Sequence, residues 1–237
     1  DLAKGYTGVL HETLEKYPTA GALVATGQLQ IFCAHPWLRS VDAAEADNLD
    51  ENLPLDSRPT SPLLTPKMIR TVALLEEAFT AGRKVLLFAV FNRCGDLIRE
   101  ACQNLPEAYW SAINGSTAQE DRQKIVDEFT DHEGPGCLIL NPKAAGTGLN
   151  ITAATVVIHY TQVWNPALEA QASARAHRRG QTEPVYIYRL FYEDTVERVM
   201  IDRTKWRREM GNEAVPVSTR DEDDPRRALE LEPEAAQ

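Results

Sequence analysis

One stretch of the chain combines a glutamine and two arginines at helical spacing. Asn165-Pro166 can begin a helix there, because asparagine is a good N-cap and proline suits the first turn, and Gly180 suits the helix end. At about 100° per residue, Gln171, Arg175 and Arg178 fall within an arc of roughly 60° on one helix face. These side chains are suited to binding phosphate, since a guanidinium offers a fixed fork of donors and a permanent charge. The alternative is a solvated basic helix end, because cations are favoured at a helix C-terminus.

The loop from Lys143 to Asn150 is a second candidate for phosphate binding, with two glycines, a hydroxyl and several small residues. Glycine lets the backbone approach a ligand closely, so that its amides can face a phosphate. The loop is not a Walker P-loop, because the pattern Gly-x-x-x-x-Gly-Lys-[Ser/Thr] is absent from the whole chain. A tight turn between two strands is the alternative, and it is the favoured interpretation for this loop alone.

The segment from Asn114 to Thr117 is a third candidate. Thr117 and Glu120 have the spacing of a capping box, which predicts that a helix begins here. A helix start can also bind an anion through its free amides, although capping is the favoured role for the segment alone. Arg122 lies one turn further on, and its alternative role is a surface ion pair of little energetic value.

The net charge of −10 argues against a nucleic-acid partner only until its distribution is considered. Residues 213–237 hold eight acidic residues against three basic ones, and residues 39–59 hold six against two. Residues 164–208, which include the two arginines, hold nine basic residues against six acidic ones. A local basic face is therefore compatible with the acidic total.

Length and composition limit the class of protein. The 237 residues are enough for one large domain or two small ones with a sizeable core. No apolar run approaches the ~20 residues of a membrane span, and the first residues are not a signal peptide. We therefore expect no membrane partner and a location in the cytoplasm, with the nucleoid in a bacterium, or in the nucleus of a eukaryote. The chain does not begin with Met, so we expect it to be a piece of a longer protein.

The four cysteines are scattered and form no Cys-x-x-Cys pair, so we expect buried, reduced thiols and neither a metal site nor a disulfide framework. His35 and His177 are interpreted as hydrogen-bonding structural histidines. Trp164 is interpreted as a hydrophobic anchor for the helix that follows it.

Apolar runs separated by helical stripes predict an α/β fold with a parallel sheet and helices on both faces. In such sheets, ligands meet the loops beyond the carboxyl ends of the strands, so the candidate loops are expected to share one edge. Residues 1–66 read as helices followed by an acidic, proline-containing linker, residues 67–211 as the sheet-containing lobe, and residues 212–237 as an acidic tail. The predicted strands are Lys84–Phe91, Tyr109–Ile113, Cys137–Leu140, Thr155–Tyr160 and Val185–Phe191.

Taken in order, these segments resemble the second RecA-like lobe of the Swi/Snf family of ATP-dependent DNA translocases, within helicase superfamily two. The resemblance runs from about Gln28 to Gly211. The ending Arg-Ala-His-Arg-Arg-Gly-Gln at 175–181 favours this family over other members of the superfamily. The matching segments are 29–36, 84–93, 114–117 with Arg122 and Phe129, 144–154, 164–166 with 171–181, and 185–190 with 195–197.

The resemblance implies a RecA-like lobe, a P-loop NTPase fold without a P-loop, preceded by helices. It implies that Arg175 and Arg178 are arginine fingers for the γ-phosphate of ATP, and that Gln171 positions nucleotide or water. ATP with Mg²⁺ would be held mainly by an N-terminal RecA-like lobe that this sequence lacks, and the other partner would be duplex DNA. The implied nucleotide-binding residues are Gly146, Thr147, Gly148 and Asn150. The implied DNA-binding residues are Asn92, Arg93, Gly115, Ser116, Thr117 and Lys143.

Three departures from the family pattern lie beside the implied fingers, and they indicate a divergent branch. Ala174 stands where the family has aspartate before the first finger. The stretch 159–161 lacks the aspartate that precedes Trp-Asn-Pro in the family, and Asn141-Pro142 replaces the usual Ser-Thr.

The sequence thus predicts the C-terminal lobe of an enzyme that hydrolyses ATP and tracks along duplex DNA, a lobe that is inactive by itself. The first alternative is the second lobe of an RNA helicase of the same superfamily. The second alternative is a non-catalytic RecA-like interaction module.

Overall fold

The computed structural model describes residues 2–18, 21–39, 64–144, 149, 151–165, 170, 173–174, 183–209, 229–231 and 233. The chain divides into two compact units, one of residues 50–190 and one that combines residues 1–49 with residues 191–237. The boundaries predicted at residues 66 and 211 remain a proposal.

A five-stranded parallel sheet forms the centre of the 50–190 unit, with its strands in the order β2-β3-β1-β4-β5. Every neighbouring pair is parallel, as the sequence predicts. The strands are β1 (Lys84–Phe88), β2 (Tyr109–Ile113), β3 (Gly136–Leu140), β4 (Val156–His159) and β5 (Tyr186–Arg189). The helices of this unit are α3 (Pro66–Thr80), α4 (Asn92–Ala101) and α5 (Gln119–Asp131).

Helices cover both faces of the sheet, because alternate residues of a strand point to opposite faces. On one face, Phe129 of α5 packs in a buried cluster with Leu138 and Leu140 of β3. On the other face, α4 approaches Ile139 so closely that a Cβ on Gly95 would lie 3.1 Å from its Cδ1 atom. The central strands β1, β3 and β4 are buried along nearly their whole length, which is why they read as continuous apolar runs.

The other unit contains the described helices α1 (Leu2–Lys16), α2 (Gly21–Ala34) and α6 (Val196–Glu209), with a 3₁₀ turn at Pro36–Arg39. The hydroxyl of Tyr6 accepts a hydrogen bond from the Val196 amide at 2.9 Å and joins α1 to the start of α6. Burial raises the pKa of Tyr6 above its ordinary value. His35 is fully buried, and its Nδ1 accepts from the Trp37 amide at 3.2 Å, which confirms the structural role predicted for it. His177 lies outside the described residues.

All four cysteines are buried and free, as predicted. Burial raises the pKa of Cys102 to about 12 and that of Cys137 well above its ordinary value. No described helix is both long and apolar enough to cross a membrane.

The structure corrects two predicted helix starts. Helix α5 begins at Gln119 with Ala118 as its N-cap, so Thr117 and Glu120 do not form a capping box. The Thr117 hydroxyl instead accepts from the Asn114 amide at 3.1 Å, which holds it in the preceding turn. The spacing of Asp194 and Glu197 likewise predicts a cap at the start of α6, but the Glu197 amide donates to Thr195 Oγ1 at 3.2 Å instead.

Strand β1 also ends earlier than predicted, at Phe88 rather than Phe91. Phe91 is the extended N-cap of α4, and Cys94 donates to its carbonyl at 3.0 Å. Asn92 and Arg93, which the sequence places in a loop, therefore lie in the first turn of α4.

Candidate functional edge of the sheet

The candidate site is the edge of the sheet at which β1, β2, β3 and β4 end. We call it the carboxyl edge and define it as residues 89–93, 114–118, 141–144 and 160–165. Because the strand order is β2-β3-β1-β4, these four loops follow one another along the edge. Four of the six predicted DNA-binding residues lie in the loops after β2 and β3, and Asn92 and Arg93 lie in the first turn of α4, directly after the loop that follows β1; these three strands are adjacent.

Asn141, the first residue after β3, ties two of these loops together. Its side-chain Nδ2 donates to the carbonyl oxygen of Val90 at 2.8 Å and lies 3.4 Å from Oδ1 of Asn92. Its Oδ1 accepts from the backbone amide of Lys143 at 3.0 Å, which closes a turn at the start of the next loop. One amide thus sets the position of Asn92 relative to Lys143.

The loop after β2 is held by its own first residue. Asn114 Oδ1 accepts from the Ser116 amide at 3.0 Å and from the Ser116 hydroxyl at 2.6 Å. Gly115 is exposed in this turn, and a Cβ added to it would meet no atom within 4 Å. The fold therefore does not require glycine at this position, whereas a ligand that approaches the backbone closely would.

Arg122 links the loop after β2 to the loop after β3. Its Nε donates to the carbonyl of Thr117 at 3.0 Å, and its Nη1 lies 3.4 Å from the carbonyl of Ala144. Thr117 belongs to the predicted DNA-binding segment, and Ala144 belongs to the glycine-rich loop from Lys143 to Asn150, two residues before the first residue implied to bind nucleotide. The side chain therefore spans the two implied binding segments.

The defined loops of the carboxyl edge carry basic residues and no acidic ones, although Glu120 and Asp121 follow in the first turn of α5. The basic residues of these loops are Arg93 and Lys143. The opposite ends of the strands carry Arg83 and Lys84 beside exposed carboxylates, namely Glu107, Asp131, Glu133 and Glu183. The loops of the carboxyl edge thus offer two cations with no carboxylate in the same loops, whereas the cations at the opposite edge lie beside carboxylates.

Two further contacts bring the end of β4 into this edge. The Thr161 hydroxyl accepts from the Val90 amide at 2.7 Å, and Gln162 Nε2 donates to the carbonyl of Leu190 at 2.8 Å. His159 is buried, stacks on Phe88 with ring centroids 5.2 Å apart, and lies 2.9 Å through Nε2 from the Ser173 hydroxyl. The backbone after β4 is thus fixed to β1 on one side and to β5 on the other.

The predicted catalytic and nucleotide-binding residues fall outside the described part of the chain. These are Gln171, Arg175 and Arg178 together with Gly146, Thr147, Gly148 and Asn150. Among the described residues of the implied arginine-bearing helix, Ala174 is exposed, and its amide donates to the carbonyl of Ala170 at 2.9 Å, the spacing of an α-helical hydrogen bond.

Sequence reasoning missed Asn141, Thr161 and His159 as organising residues of the edge. Each follows or ends a buried apolar strand, where a polar side chain has few partners except neighbouring loops. A polar residue directly after such a strand is the signal that could have identified Asn141 and Thr161. His159 carried no such signal, because its partner Ser173 is known only from the fold.

Comparisons with known proteins show which family the chain is similar to. The family model described as helicase conserved C-terminal domain matches residues 67–180. The mouse SWI/SNF-related matrix-associated actin-dependent regulator of chromatin subfamily A member 1 is 30% identical over 210 residues, which cover 84% of this chain and 19% of that protein. The human lymphoid-specific helicase is 31% identical over 185 residues, which cover 77% of this chain and 21% of that protein.

A solved structure agrees in fold. The Sulfolobus solfataricus SWI2/SNF2 ATPase core in complex with dsDNA is similar with a TM-score of 0.69 at 23% identity, over 97% of this chain and 47% of that chain. The chain spans about a fifth of the length of these curated relatives and about half of that core. The solved structure supports the RecA-like fold. By its matches to the helicase conserved C-terminal domain and to these relatives, the chain belongs to the Swi/Snf-type family of helicase superfamily two, as a C-terminal lobe of that family.

Proposed function

We propose that the chain supplies the second half of a shared ATP site, and a set of DNA-backbone contacts, to a longer protein that moves along duplex DNA at the expense of ATP. The observation that carries the proposal is the alignment of Asn92-Arg93, Gly115 to Thr117 and Lys143 along one edge, in loops that contain no acidic residue. Contacts of this kind hold phosphates and do not read base sequence, so the proposed tracking is independent of sequence.

The proposed DNA contacts differ in chemistry. Arg93 and Lys143 supply charge, while the Ser116 and Thr117 segment supplies hydroxyl and amide groups. Gly115 supplies space, because its missing side chain leaves the backbone open to a phosphate. The bonds of Asn114, Asn141 and Arg122 fix these groups relative to one another before DNA arrives.

The proposed nucleotide contacts come from segments that follow the loops of this edge in sequence. Arg175 and Arg178 act as arginine fingers on the charge that develops at the γ-phosphate, Gln171 positions nucleotide or water, and the segment from Gly146 to Asn150 couples nucleotide to DNA. An arginine finger contributes roughly 10³–10⁵ in rate in phosphoryl-transfer enzymes. ATP with Mg²⁺ is proposed to be held mainly by the N-terminal lobe of the same protein, and within the described residues no group of three or more His, Cys, Asp or Glu side chains is placed to hold a metal ion.

The decisive experiment measures ATP hydrolysis by the full-length protein with and without duplex DNA. We expect stimulation by duplex DNA, loss of turnover in Arg175→Ala and in Arg178→Ala, and no appreciable hydrolysis by the 237-residue chain alone. Wild-type turnover in the double arginine variant would show that the finger assignment is wrong. Greater stimulation by RNA than by duplex DNA would favour the RNA-helicase alternative, and no hydrolysis under any condition would favour the interaction module.

A further inference from the structure

His159 is held rigidly at the end of β4. Its side chain is 3% exposed and lies beside Phe88 of β1, its register partner on the same face of the sheet. The two rings stack at an interplanar angle of 18° with centroids 5.2 Å apart. The imidazole is thus fixed both by its own strand and by a fully buried neighbour.

The free end of this imidazole faces the segment that follows β4. Its Nε2 lies 2.9 Å from the hydroxyl of Ser173, a hydrogen bond in which either group can donate, depending on the imidazole tautomer. Ser173 lies two residues after Gln171 and two residues before Arg175. A rigid group on the sheet therefore contacts the centre of the segment implied to act on ATP.

A buried histidine that only satisfies its hydrogen bond is the structural alternative. Three observations favour a positioning role. Ser173 is itself only half-buried, the neighbouring Ala174 is exposed and has no polar side chain, and Ala174 stands where the family resemblance leads us to expect an aspartate. The His159 hydrogen bond thus connects the sheet to Ser173, one residue before the position at which the family has an aspartate.

We propose that His159 is a positioning residue, and that its hydrogen bond to Ser173 sets the rotational position of the segment that bears Gln171 and Arg175. The inference rests on the proposed function, because it assigns the bond an effect on the two residues implied to act at the γ-phosphate. Displacement of a reacting group by about 1 Å can cost on the order of 10²-fold in rate. The loss of one hydrogen bond that only affects the rotational position of this segment is expected to lower the rate by less than that.

The test is a double-mutant cycle on the full-length protein in the presence of duplex DNA. Ser173→Ala removes the hydroxyl, and His159→Phe removes the hydrogen bond while retaining an aromatic ring against Phe88. We expect each single variant to lower kcat about three- to tenfold without changing the KM for ATP or the DNA affinity. We expect the double variant to be no slower than the slower single variant, because both changes remove the same bond.

Control variants separate positioning from folding. Ser173→Thr keeps a hydroxyl and should retain most of the wild-type kcat, and Ser111→Ala on β2 should leave it unchanged. If His159→Phe does not fold, His159→Leu replaces it in the cycle, since leucine also removes the hydrogen bond and keeps an apolar side chain against Phe88. The thermal midpoint of Ser173→Ala should stay close to that of the wild type.

The outcomes separate this inference from the proposed function. Wild-type kcat in Ser173→Ala, or losses in the two single variants that add in the double variant, would overturn the positioning role. If Arg175→Ala, measured in parallel, loses turnover in that case, the finger assignment stands and only the inference about His159 fails. If Arg175→Ala keeps wild-type turnover, both the finger assignment and the positioning role fail.

Discussion

The side-chain amide of Asn141 donates to the carbonyl oxygen of Val90 at 2.8 Å and so joins the ends of the adjacent strands β3 and β1. The same side chain accepts from the Lys143 amide at 3.0 Å. One residue therefore holds two of the proposed DNA-binding loops in register. In the family pattern Ser-Thr stands where this chain has Asn141-Pro142, and the side chains of serine and threonine are shorter than that of asparagine.

Replacing Asn141 with aspartate removes the donor and keeps the acceptor. We expect Asn141→Asp to lower the free energy of unfolding by about 1–3 kcal/mol, because a carboxylate would face the Val90 carbonyl and Asn92 Oδ1 without a proton to share. The measurement is denaturant unfolding of the chain. Asn104→Asp is the matched control, since Asn104 is exposed, and it should change stability little. Equal stability of the two variants would show that the Asn141 bond contributes nothing to the edge.

A substitution at Gly115 can show whether glycine is needed there for DNA binding or for folding. A Cβ at this position meets no atom within 4 Å, and its φ does not lie in the left-handed region, so Gly115→Ala should leave the melting temperature nearly unchanged. DNA affinity should fall several-fold, because the added methyl group obstructs a phosphate that approaches the backbone. Binding of the full-length protein to a labelled duplex measures the effect.

Gly136→Ala is the matched glycine control for this experiment. A Cβ there would lie 3.2 Å from the Tyr109 carbonyl oxygen and 3.3 Å from the Phe129 ring, within the sheet and its core. It should cost about 1–3 kcal/mol of stability through overpacking. Unchanged DNA affinity in a folded Gly115→Ala variant would contradict the proposed phosphate contact.

Salt dependence tests the charged members of the edge. If Arg93 and Lys143 each neutralise one phosphate, Arg93→Ala and Lys143→Ala should each reduce the slope of log K against log salt by roughly 0.9. The loss of affinity should be similar for duplexes of unrelated sequence. Lys124→Ala is the control, because Lys124 is an exposed lysine of α5 in an i,i+4 pair with Glu128. An unchanged salt slope in both edge variants would remove these two residues from the proposed interface.

Much of the sheet could be predicted from the sequence because its strands are buried on both faces. Strand β2 matches its predicted bounds, β3 begins one residue earlier than predicted, and β4 is one residue shorter than predicted at each end. The strand order was not predicted, since periodicity describes one strand at a time and the order depends on pairing between strands distant in sequence. The candidate loops were expected to share an edge, and the order β2-β3-β1-β4 confirms this for the described loops.

The hydrogen bonds of the candidate site were harder to predict. The predicted Thr117 capping box is wrong because Asn114 forms hydrogen bonds with the Thr117 and Ser116 side chains and holds them in a turn before the helix. The spacing of Thr117 and Glu120 alone does not show that Asn114 competes for the Thr117 hydroxyl. A surface ion pair was the alternative role expected for Arg122. In the structure its side chain donates to the backbone carbonyls of residues five and 22 positions away in sequence. Those partners exist only once the ends of β2 and β3 are side by side.

The thiols provide a test of burial by chemical modification. Burial raises the pKa of Cys102 to about 12 and that of Cys137 well above its ordinary value, so both thiols remain protonated at pH 8. Since the thiolate is the reactive form, a disulfide exchange reagent at pH 8 should modify neither cysteine in the folded chain, while all four cysteines should react after denaturation. Mass spectrometry of peptides assigns the modified positions. Rapid modification of Cys137 in the folded chain would contradict its full burial in β3.

Arg122 offers a test of the link between the two implied binding segments that keeps charge constant. Arg122→Lys retains the positive charge, but an ammonium on a single stem cannot reproduce a guanidinium that reaches both Thr117 and Ala144. We expect the free energy of unfolding to fall by about 0.5–1.5 kcal/mol, because the contacts that are lost are hydrogen bonds to backbone carbonyls. We also expect DNA to bind with near wild-type affinity, because the residues proposed to contact DNA along the edge are unchanged. We expect bound DNA to stimulate ATP hydrolysis less, because the link from the DNA-binding loop to the glycine-rich segment is weakened. Titrating duplex DNA into a hydrolysis assay of the full-length protein separates the two quantities, and Arg99→Lys on the exposed end of α4 is the charge-matched control. Normal maximal stimulation together with weakened DNA affinity would show instead that Arg122 contacts DNA directly and does not couple the two segments.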